Sequence, residues 1–356
     1  MITPNFRRAP TLSAVAVLVI GAPLAAQQVT GYDPATGYQI APGTGGNGGG
    51  YGGTYRDYPG DATGTSFGNG SPAAGRRANG FYLRGVLEAE LLKSMDEDDS
   101  ILFGDLSFGF VPAGGGLGAD FGLVGYDSSE ADELVAYGAL SFALGGGRMQ
   151  VGAPRAVLDD FMDIPPLGGS RFLDIGLGML TSSFVSSHAL LEGQTPYGLR
   201  YDTSAGALDL AASAHGFGGD DAAAVDLAAA YRLGAVTLSA GAEHADGEGL
   251  DGEEADGFNL ILGGKAEAGK FGGGLYYSTL ERPDDIEAWT AYGTWRPLEP
   301  LEVTGSLVTA RASGEEATLF GVSADYNFAQ GAYLQGGFLD GDDQDATYDL
   351  SLGWKF

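Results

Sequence analysis

The chain has 356 residues, 62 of them glycine, and its 18 basic against 47 acidic residues give a formal net charge of -29. This acidic excess argues against nucleic acid as a partner, because phosphate binding requires a basic surface. A mean hydropathy near zero argues against a helical membrane protein, and the absence of cysteine excludes disulfides, thiolate metal sites and cysteine nucleophiles.

The first residues have the layout of a secretory signal peptide. Arg7 and Arg8 form a basic start, and an apolar stretch from Leu12 to Ile20 leads into small residues. We predict a signal peptide over residues 1–26, cleaved after Ala26. The apolar stretch is too short to span a bilayer as a helix, and an uncleaved anchor is the alternative.

A glycine- and tyrosine-rich segment, residues 27–79, follows the predicted signal. Gly43 to Gly53 is nearly all glycine, and the segment has no apolar period with which to bury a core. We expect a disordered extension on the periplasmic side. Gly43 to Gly48 matches the dinucleotide-binding pattern GxGxxG, but no strand precedes it and no helix follows, so we regard the match as chance.

The body of the chain, residues 80–356, consists of short segments of alternating polarity, which predict β-strands with one apolar and one polar face. The clearest is the last, Tyr348 to Phe356, in which Tyr, Leu, Leu, Trp and Phe alternate with Asp, Ser, Gly and Lys. The alternation recurs in residues 81–91, 197–202, 225–233, 236–243 and 320–328. A soluble β-protein would explain each strand singly. So many strands in succession, with aromatic residues near their ends, instead predict an all-β, transmembrane, antiparallel up-and-down β-barrel.

Two kinds of turn alternate along this body. One kind is short and nearly neutral, as at Gly234-Ala235, and the other is acidic, as in Asp96 to Asp99 and Glu248 to Asp256. Alternate turns of an up-and-down meander lie at opposite ends of the barrel. We therefore expect one acidic mouth facing outside and one end with short turns facing the periplasm. The segments count to about sixteen strands, enough to leave an aqueous lumen.

One long stretch breaks the alternation, from Ala153 to about Gly193. Long ordered loops are usually functional, and in a wide barrel we expect this one to fold inward as a constriction loop, a plain surface loop being the alternative. Its acids would face bases of the inner wall and set a transverse field, since rings of charge select ions in pores. For each base, simple pairing with a neighbouring acid is the alternative. We predict the pore constriction at Arg84, Arg148, Arg155, Asp159, Asp160, Asp163 and Arg200.

The tail resembles the C-terminal end of general bacterial porins, closest to the purple-bacterial type. The resemblance lies in Ser323 to Phe328, in Gly336-Gly337 and in the alternating end Asp349 to Phe356. Gly147 to Gly152, leading into Asp159-Asp160-Phe161, is similar to that family's fifth strand entering its constriction loop. The likeness extends over residues 80–356 by layout more than by identity.

What this resemblance implies is a homotrimer of sixteen-stranded barrels in the bacterial outer membrane, surrounded by its lipids and passing ions and small hydrophilic solutes. The chain departs from the family in its shorter external loops and its added front segment. The residues that match the family's constriction are, on the loop, Asp159, Asp160 and Asp163, and on the basic wall, Arg84, Arg148 and Arg200.

Two other functions stay open on the sequence. One is a closed structural or adhesive barrel. The other is a barrel hydrolase using Ser186-Ser187-His188 of the long stretch, although no GxSxG occurs and we expect no enzyme. We expect no cofactor. The acidic loops offer oxygen ligands that suit Ca²⁺, but none has EF-hand spacing, and their main expected effect is a modest cation preference that salt would screen.

Overall fold

The computed structural model describes two short pieces near the start and most of the body of the chain. The predicted signal peptide, residues 1–26, lies outside the described residues. Within residues 27–79 the structure describes an antiparallel hairpin of β1 (Val29–Asp33) and β2 (Gly37–Ile40). The predicted domain boundaries stay predictions. The described residues are 29–33, 37–40, 80–94, 98–111, 116–128, 132–162, 164–170, 183–218, 222–247, 257–282, 284–312, 315–328, 331–342 and 344–355.

Within these ranges sixteen strands close into one barrel, and every neighbouring pair is antiparallel. Consecutive strands pair with each other, and the last strand pairs with the first, so no strand edge is left open. This confirms the predicted up-and-down barrel. The strands are β3 Gly80–Lys93, β4 Asp98–Val111, β5 Gly118–Asp127, β6 Asp132–Leu144, β7 Gly147–Ala153, β8 Pro196–Ala205, β9 Leu208–Phe217, β10 Ala223–Leu233, β11 Val236–Asp246, β12 Gly257–Ala268, β13 Phe271–Arg282, β14 Asp284–Leu298, β15 Leu301–Ala312, β16 Glu315–Asn327, β17 Ala332–Gly341 and β18 Gln344–Lys355.

Polarity in this barrel is inverted relative to a water-soluble protein. On β18, Leu350 and Leu352 are exposed on the outer surface, whereas Asp349 and Ser351 are buried on the inner one. On β10, Leu227 is 58% exposed. Its neighbour Asp226 is fully buried. A soluble sandwich would bury the leucines and expose the acids, so this outer surface is one that faces lipid.

Exposed aromatic side chains mark the end of the barrel where the short turns lie. Phe271 and Trp295 pair across β13 and β14 near this end, and both are exposed on the outer surface. Trp354, Tyr326 and Phe328 occupy corresponding positions near the ends of β18 and β16. Aromatic rings at this height form the interfacial girdle of membrane barrels.

The turns separate into the two predicted sets. Two-residue connections join β6 to β7, β8 to β9, β10 to β11, β12 to β13 and β14 to β15 at one end. Gly234 and Gly269 adopt φ of 63° and 64° there, in the left-handed region that glycine occupies without steric cost. The strand ends that flank the acidic connections lie at the opposite end, as predicted, and many residues of those connections are outside the described ranges.

The connection from β7 to β8 is the predicted long loop, and its described parts lie inside the barrel. It contains the short helix α1 (Leu158–Phe161), a 3-10 turn η1 (Leu167–Gly169) and the helix α2 (Phe184–Glu192). The apolar side chains of these elements pack against inward-facing residues of the wall. The inward-folded constriction loop is thereby confirmed. Among the residues described here, no helix is long and apolar enough to cross a membrane.

The inverted polarity makes a prediction about charge on the outer face. Leu227→Arg, in mid-strand, should lower the free energy of unfolding by about 2–4 kcal/mol, because it places a charge in the bilayer centre. Leu233→Arg is the matched control on the same strand, at the interface, where the loss should be about 0–1 kcal/mol. Urea unfolding in lipid vesicles measures both, and equal effects at the two positions would contradict a lipid-facing surface.

Candidate functional site

The loop enters the lumen at a root that is fixed by the wall. Arg200 on β8 is 3% exposed, and its Nη1 donates hydrogen bonds of 3.3 Å to the carbonyl oxygens of Arg155 and Ala156. The same guanidinium pairs with Asp202 at 2.8 Å, two residues further along the inner face. Arg200 is therefore a brace between strand and loop, with its charge compensated inside the wall.

A second set of polar contacts holds the same root from β9. Nε2 of His215 lies 3.0 Å from the carbonyl oxygen of Pro154, which can only accept, so this nitrogen carries the hydrogen. The hydroxyl of Ser213 accepts from the Val157 amide at 3.2 Å and donates to Asp226 at 2.6 Å. Because all these groups are buried, leaving any one without its partner would be costly.

The Arg155 side chain extends from the loop to β4, on the other side of the loop root. It donates to both carboxylate oxygens of Asp105 on β4, at 3.1 and 2.5 Å, and to the Leu106 carbonyl oxygen at 3.2 Å. Its guanidinium also lies 5.1 Å from the centre of the Tyr137 ring. A bidentate pair with a cation–π contact fixes the orientation of this side chain.

Beyond the root, the loop follows the inner wall. Leu158 of α1 and Met162, which follows the helix, are fully buried against β10, β11 and neighbouring strands. Further on, η1 lies on β15, β16 and β17, where the Gly168 amide donates to Ser306 at 3.3 Å. Gly321 and Gly337 face Gly168 there, and a side chain at either would overlap its backbone. The wall glycines thus allow direct contact between backbones.

The last described part of the loop, α2, packs near the acidic end of the barrel. Glu243 on β11 accepts 2.7 Å hydrogen bonds from the Ser183 hydroxyl and the Phe184 amide, so a carboxylate holds the helix N-terminus. The helix ends at Glu192 and is capped by Gly193, whose φ of 62° is left-handed. Val185, Ala189 and Leu190 pack into an apolar cluster with inward residues of β3 to β6 and β9 to β11.

Carboxylates gather on the inner wall where β16, β17, β18 and β3 meet. The hydroxyl of Tyr333 donates to Glu88, and the hydroxyl of Ser170 donates to Glu90 at 2.6 Å. Lys355 lies 4.1 Å from the centre of the Tyr333 ring. This patch places several carboxyl groups close together on one side of the inner wall, next to the loop. We name it the acidic seam, and its carboxylates are Glu88, Glu90, Asp325 and Asp349, all buried.

The structure brings together two of the predicted constriction residues, Arg155 and Arg200, at the loop root. Arg148 lies at the far end of β7, beside the short turn, and pairs with Asp120 on β5 and with Ser141 at 2.5 Å. Arg148, Arg155 and Arg200 each pair with a nearby acid, which is the alternative that the sequence left open.

The remaining predicted residues are only partly described. Asp159 and Asp160 belong to α1, but their side chains lie outside the described residues, as does Asp163 entirely. Arg84 is on β3, and its side chain is likewise outside the description. Sequence reasoning missed Glu243 and Ser213 as supports of the loop. Strand alternation places both side chains inward, but nothing in the sequence pairs them with distant loop amides.

Comparison with solved structures finds the same architecture in bacterial proteins. A solved porin is 22% identical with a TM-score of 0.50, and the alignment covers 78% of this chain and 100% of that one. This chain has the porin fold. An engineered Rh. blastica porin is 14% identical with a TM-score of 0.56, and OmpT of Vibrio cholerae is 16% identical with a TM-score of 0.57. Both alignments have the same coverage as the first.

No family model and no curated protein sequence matches the chain. The likeness to the solved porins therefore shows the fold, and it agrees with the resemblance seen in the tail and the long loop.

The candidate hydrolase residues have a structural place on α2. His188 packs between the rings of Phe184 and Phe217, whose centres lie 5.1 and 4.5 Å away, and it is only 3% exposed. The side chain of Ser187 lies outside the description. A histidine enclosed by two aromatic rings is poorly placed to receive a substrate.

In the part of the chain that the structure describes, no three histidine or carboxylate side chains are grouped so as to hold a metal ion. Many residues of the acidic loops considered for Ca²⁺ lie outside that part.

The brace at the loop root can be tested by a double-mutant cycle. Arg200→Met leaves the buried Asp202 without its positively charged partner, although Gln150 still donates to it. The substitution should lower the free energy of unfolding by about 3–5 kcal/mol, and adding Asp202→Asn should recover part of the loss. The control is Arg311→Met, which removes the 2.8 Å pair with Glu316 at the exposed end of β15 and should leave stability unchanged. Additive effects of the Arg200 and Asp202 substitutions would contradict the pairing.

Proposed function

We propose that this chain is an outer-membrane porin, a water-filled channel through which ions and small hydrophilic solutes diffuse passively. The observation that carries the proposal is the inverted barrel, whose outer face is apolar and whose inner face is lined by carboxylates, arginines and hydroxyls. A polar, charged lumen inside a closed membrane barrel provides a hydrated path that the lipid does not.

The outer membrane is the location that the fold supports. Closed antiparallel barrels with short turns at one end and longer connections at the other span that membrane. The related structure from Vibrio cholerae is described as an outer membrane protein in a trimer form. We extend both properties to this chain, so that its partners are outer-membrane lipids and two further copies of itself.

The distribution of charge favours cations. Arg148, Arg155 and Arg200 each pair with a carboxylate, so their positive charges are largely compensated at short range. The acidic seam and the acidic mouth then dominate the field along the remaining path. Lumen carboxylates are a means by which cation channels select, and the preference should weaken as salt screens them.

The constriction follows from the loop. We propose that the channel is narrowest where α1 and η1 project from the wall, with Asp159, Asp160 and Asp163 on the loop and Arg84 on β3 acting on the passing ions. Arg155 and Arg200 act as supports that fix the loop. Rigid placement matters because selectivity depends on where charges stand relative to the path.

A closed structural or adhesive barrel is the second candidate, and α2 is the observation that favours it. The helix and its apolar cluster occupy lumen that porin walls usually leave polar, close to the acidic mouth. If α2 seals the mouth, the barrel carries no current. Conductance separates the two candidates.

The first test is single-channel recording of the detergent-extracted protein in planar bilayers. We expect conductance steps grouped in threes and a reversal potential biased toward K⁺ over Cl⁻ in a salt gradient. The bias should shrink between about 0.1 and 1 M salt, as the Debye length falls from about 10 to 3 Å. Anion preference would refute the charge argument, and a folded, heat-modifiable protein without current would support the closed barrel.

The contribution of α2 can be measured separately. Replacing residues 183–193 with a glycine-serine segment of equal length removes the side chains that fill the apolar cluster, so the segment should leave the wall and conductance should rise. Glu243→Gln is the milder companion, which weakens the helix tether without changing its shape. Unchanged conductance in the glycine-serine variant would mean that α2 lies outside the water path.

A further inference from the structure

A recess in the inner wall lies next to the loop, at β13, five strands along the barrel from β8 at the loop root. Its floor is formed by β13 at Gly272, an inward position without a side chain. The next inward position, Gly274, is covered by the rings of Tyr276 and Tyr292. Pro165 of the loop also lines the recess. A cavity opens between this proline and the floor, near the short-turn end of the barrel.

Charged side chains flank the floor on β12. Glu267 lies directly opposite Gly272, and Lys265 lies opposite Gly274, over which the rings of Tyr276 and Tyr292 extend. The two are separated by one residue on the same face of the strand, about 6.7 Å apart along its axis. A negative and a positive group therefore stand side by side at the edge of one small recess.

The opposite edge, on β14 and β15, adds polar groups and an aromatic face. Thr294 lies opposite Gly272, and Arg296 pairs with Glu302 and lies 3.8 Å from Glu267. The Tyr292 ring lies across Gly274, since a Cβ at this glycine would come within 2.6 Å of the ring. The recess thus combines both charges, a hydroxyl and an apolar surface.

We propose that this recess binds small zwitterionic solutes, the class to which α-amino acids belong. A simple cation would meet the positive charges of Lys265 and Arg296, and a simple anion would meet Glu267 and Glu302. A molecule carrying an ammonium and a carboxylate satisfies both sets at once, with the ammonium toward Glu267 and the carboxylate toward Lys265. Its side chain then rests against Tyr292.

The inference depends on the proposed function in one respect, because solutes must be able to reach the lumen. The recess lies past the loop, so it would act as a docking point between the constriction and the periplasm. Pro165 belongs to the loop and the floor to the wall, so a bound solute would also bridge these two parts of the protein.

Saturation-transfer NMR on the full-length, detergent-solubilised protein tests binding without requiring current. The probe is L-alanine, with propionate and ethylamine as matched molecules that lack one of its two charges. We expect a saturable alanine signal, with each control molecule binding at least about tenfold more weakly, equivalent to 1.4 kcal/mol. Similar signals from all three probes, or no saturation by alanine, would overturn the site.

Three variants assign the contacts. Glu267→Gln and Lys265→Met should each weaken alanine binding about tenfold, and Gly272→Val should abolish it by filling the floor. Lys355→Met, on the inner face near the same end of the barrel but over Tyr333, is the control and should bind as the unaltered protein does. Alanine binding that survives both charge substitutions would refute the assignment.

The two proposals fail in different ways. Saturable alanine binding by a protein that carries no current would support the binding site in the recess and refute the proposed channel. Current through a protein that shows no saturable alanine binding would support the channel and refute the binding site in the recess.

Discussion

This structure depends on one constraint: inside the lipid, every backbone amide and carbonyl group needs a hydrogen-bond partner within the protein. A chain that crosses a bilayer must bond every amide and carbonyl internally, and a β-sheet does so only when its first and last strands pair. Here β18 pairs with β3 over eight residues on each strand. Once the sheet is closed, strand alternation divides the side chains into an outer apolar set and an inner polar set, and a long connection can be buried only inside.

The inner wall then serves as the binding surface for its own loop. Arg200, Ser213 and His215 hold the root, Ser306 and Gln335 hold the middle, and Glu243 holds the second helix. Most of these contacts join a buried charged or polar side chain to a backbone group of the loop. Such contacts have a strict geometry, so they fix the position of the loop more than they stabilise the barrel as a whole.

The strands could be predicted from the sequence because a period of two has only one structural meaning over so many segments. Leu350, Leu352, Asp349 and Ser351 all lie on the faces that the alternation assigned. The loop could not be predicted in the same detail. Arg200 and Asp202 lie two positions apart on one strand, so the alternation places both on the inner face and their pairing can be expected. The contact of Arg200 with the Arg155 carbonyl oxygen depends on the path of the loop, which the alternation of polarity does not reveal. The recess at Gly272 was equally hidden, because a glycine becomes informative only once its neighbours across the sheet are known.

The pairing of β18 with β3 also bears on how the protein reaches its folded state. The strands that seal the barrel are the two most distant in sequence, so the sheet cannot close until the last strand has left the ribosome and the inner membrane. Until then the exposed leucines of the future outer face are present in a chain without a bilayer. A net charge far from zero opposes association between chains, and the formal net charge of this chain is -29. Acidity that shapes the lumen in the folded protein thus acts earlier as protection against aggregation in transit.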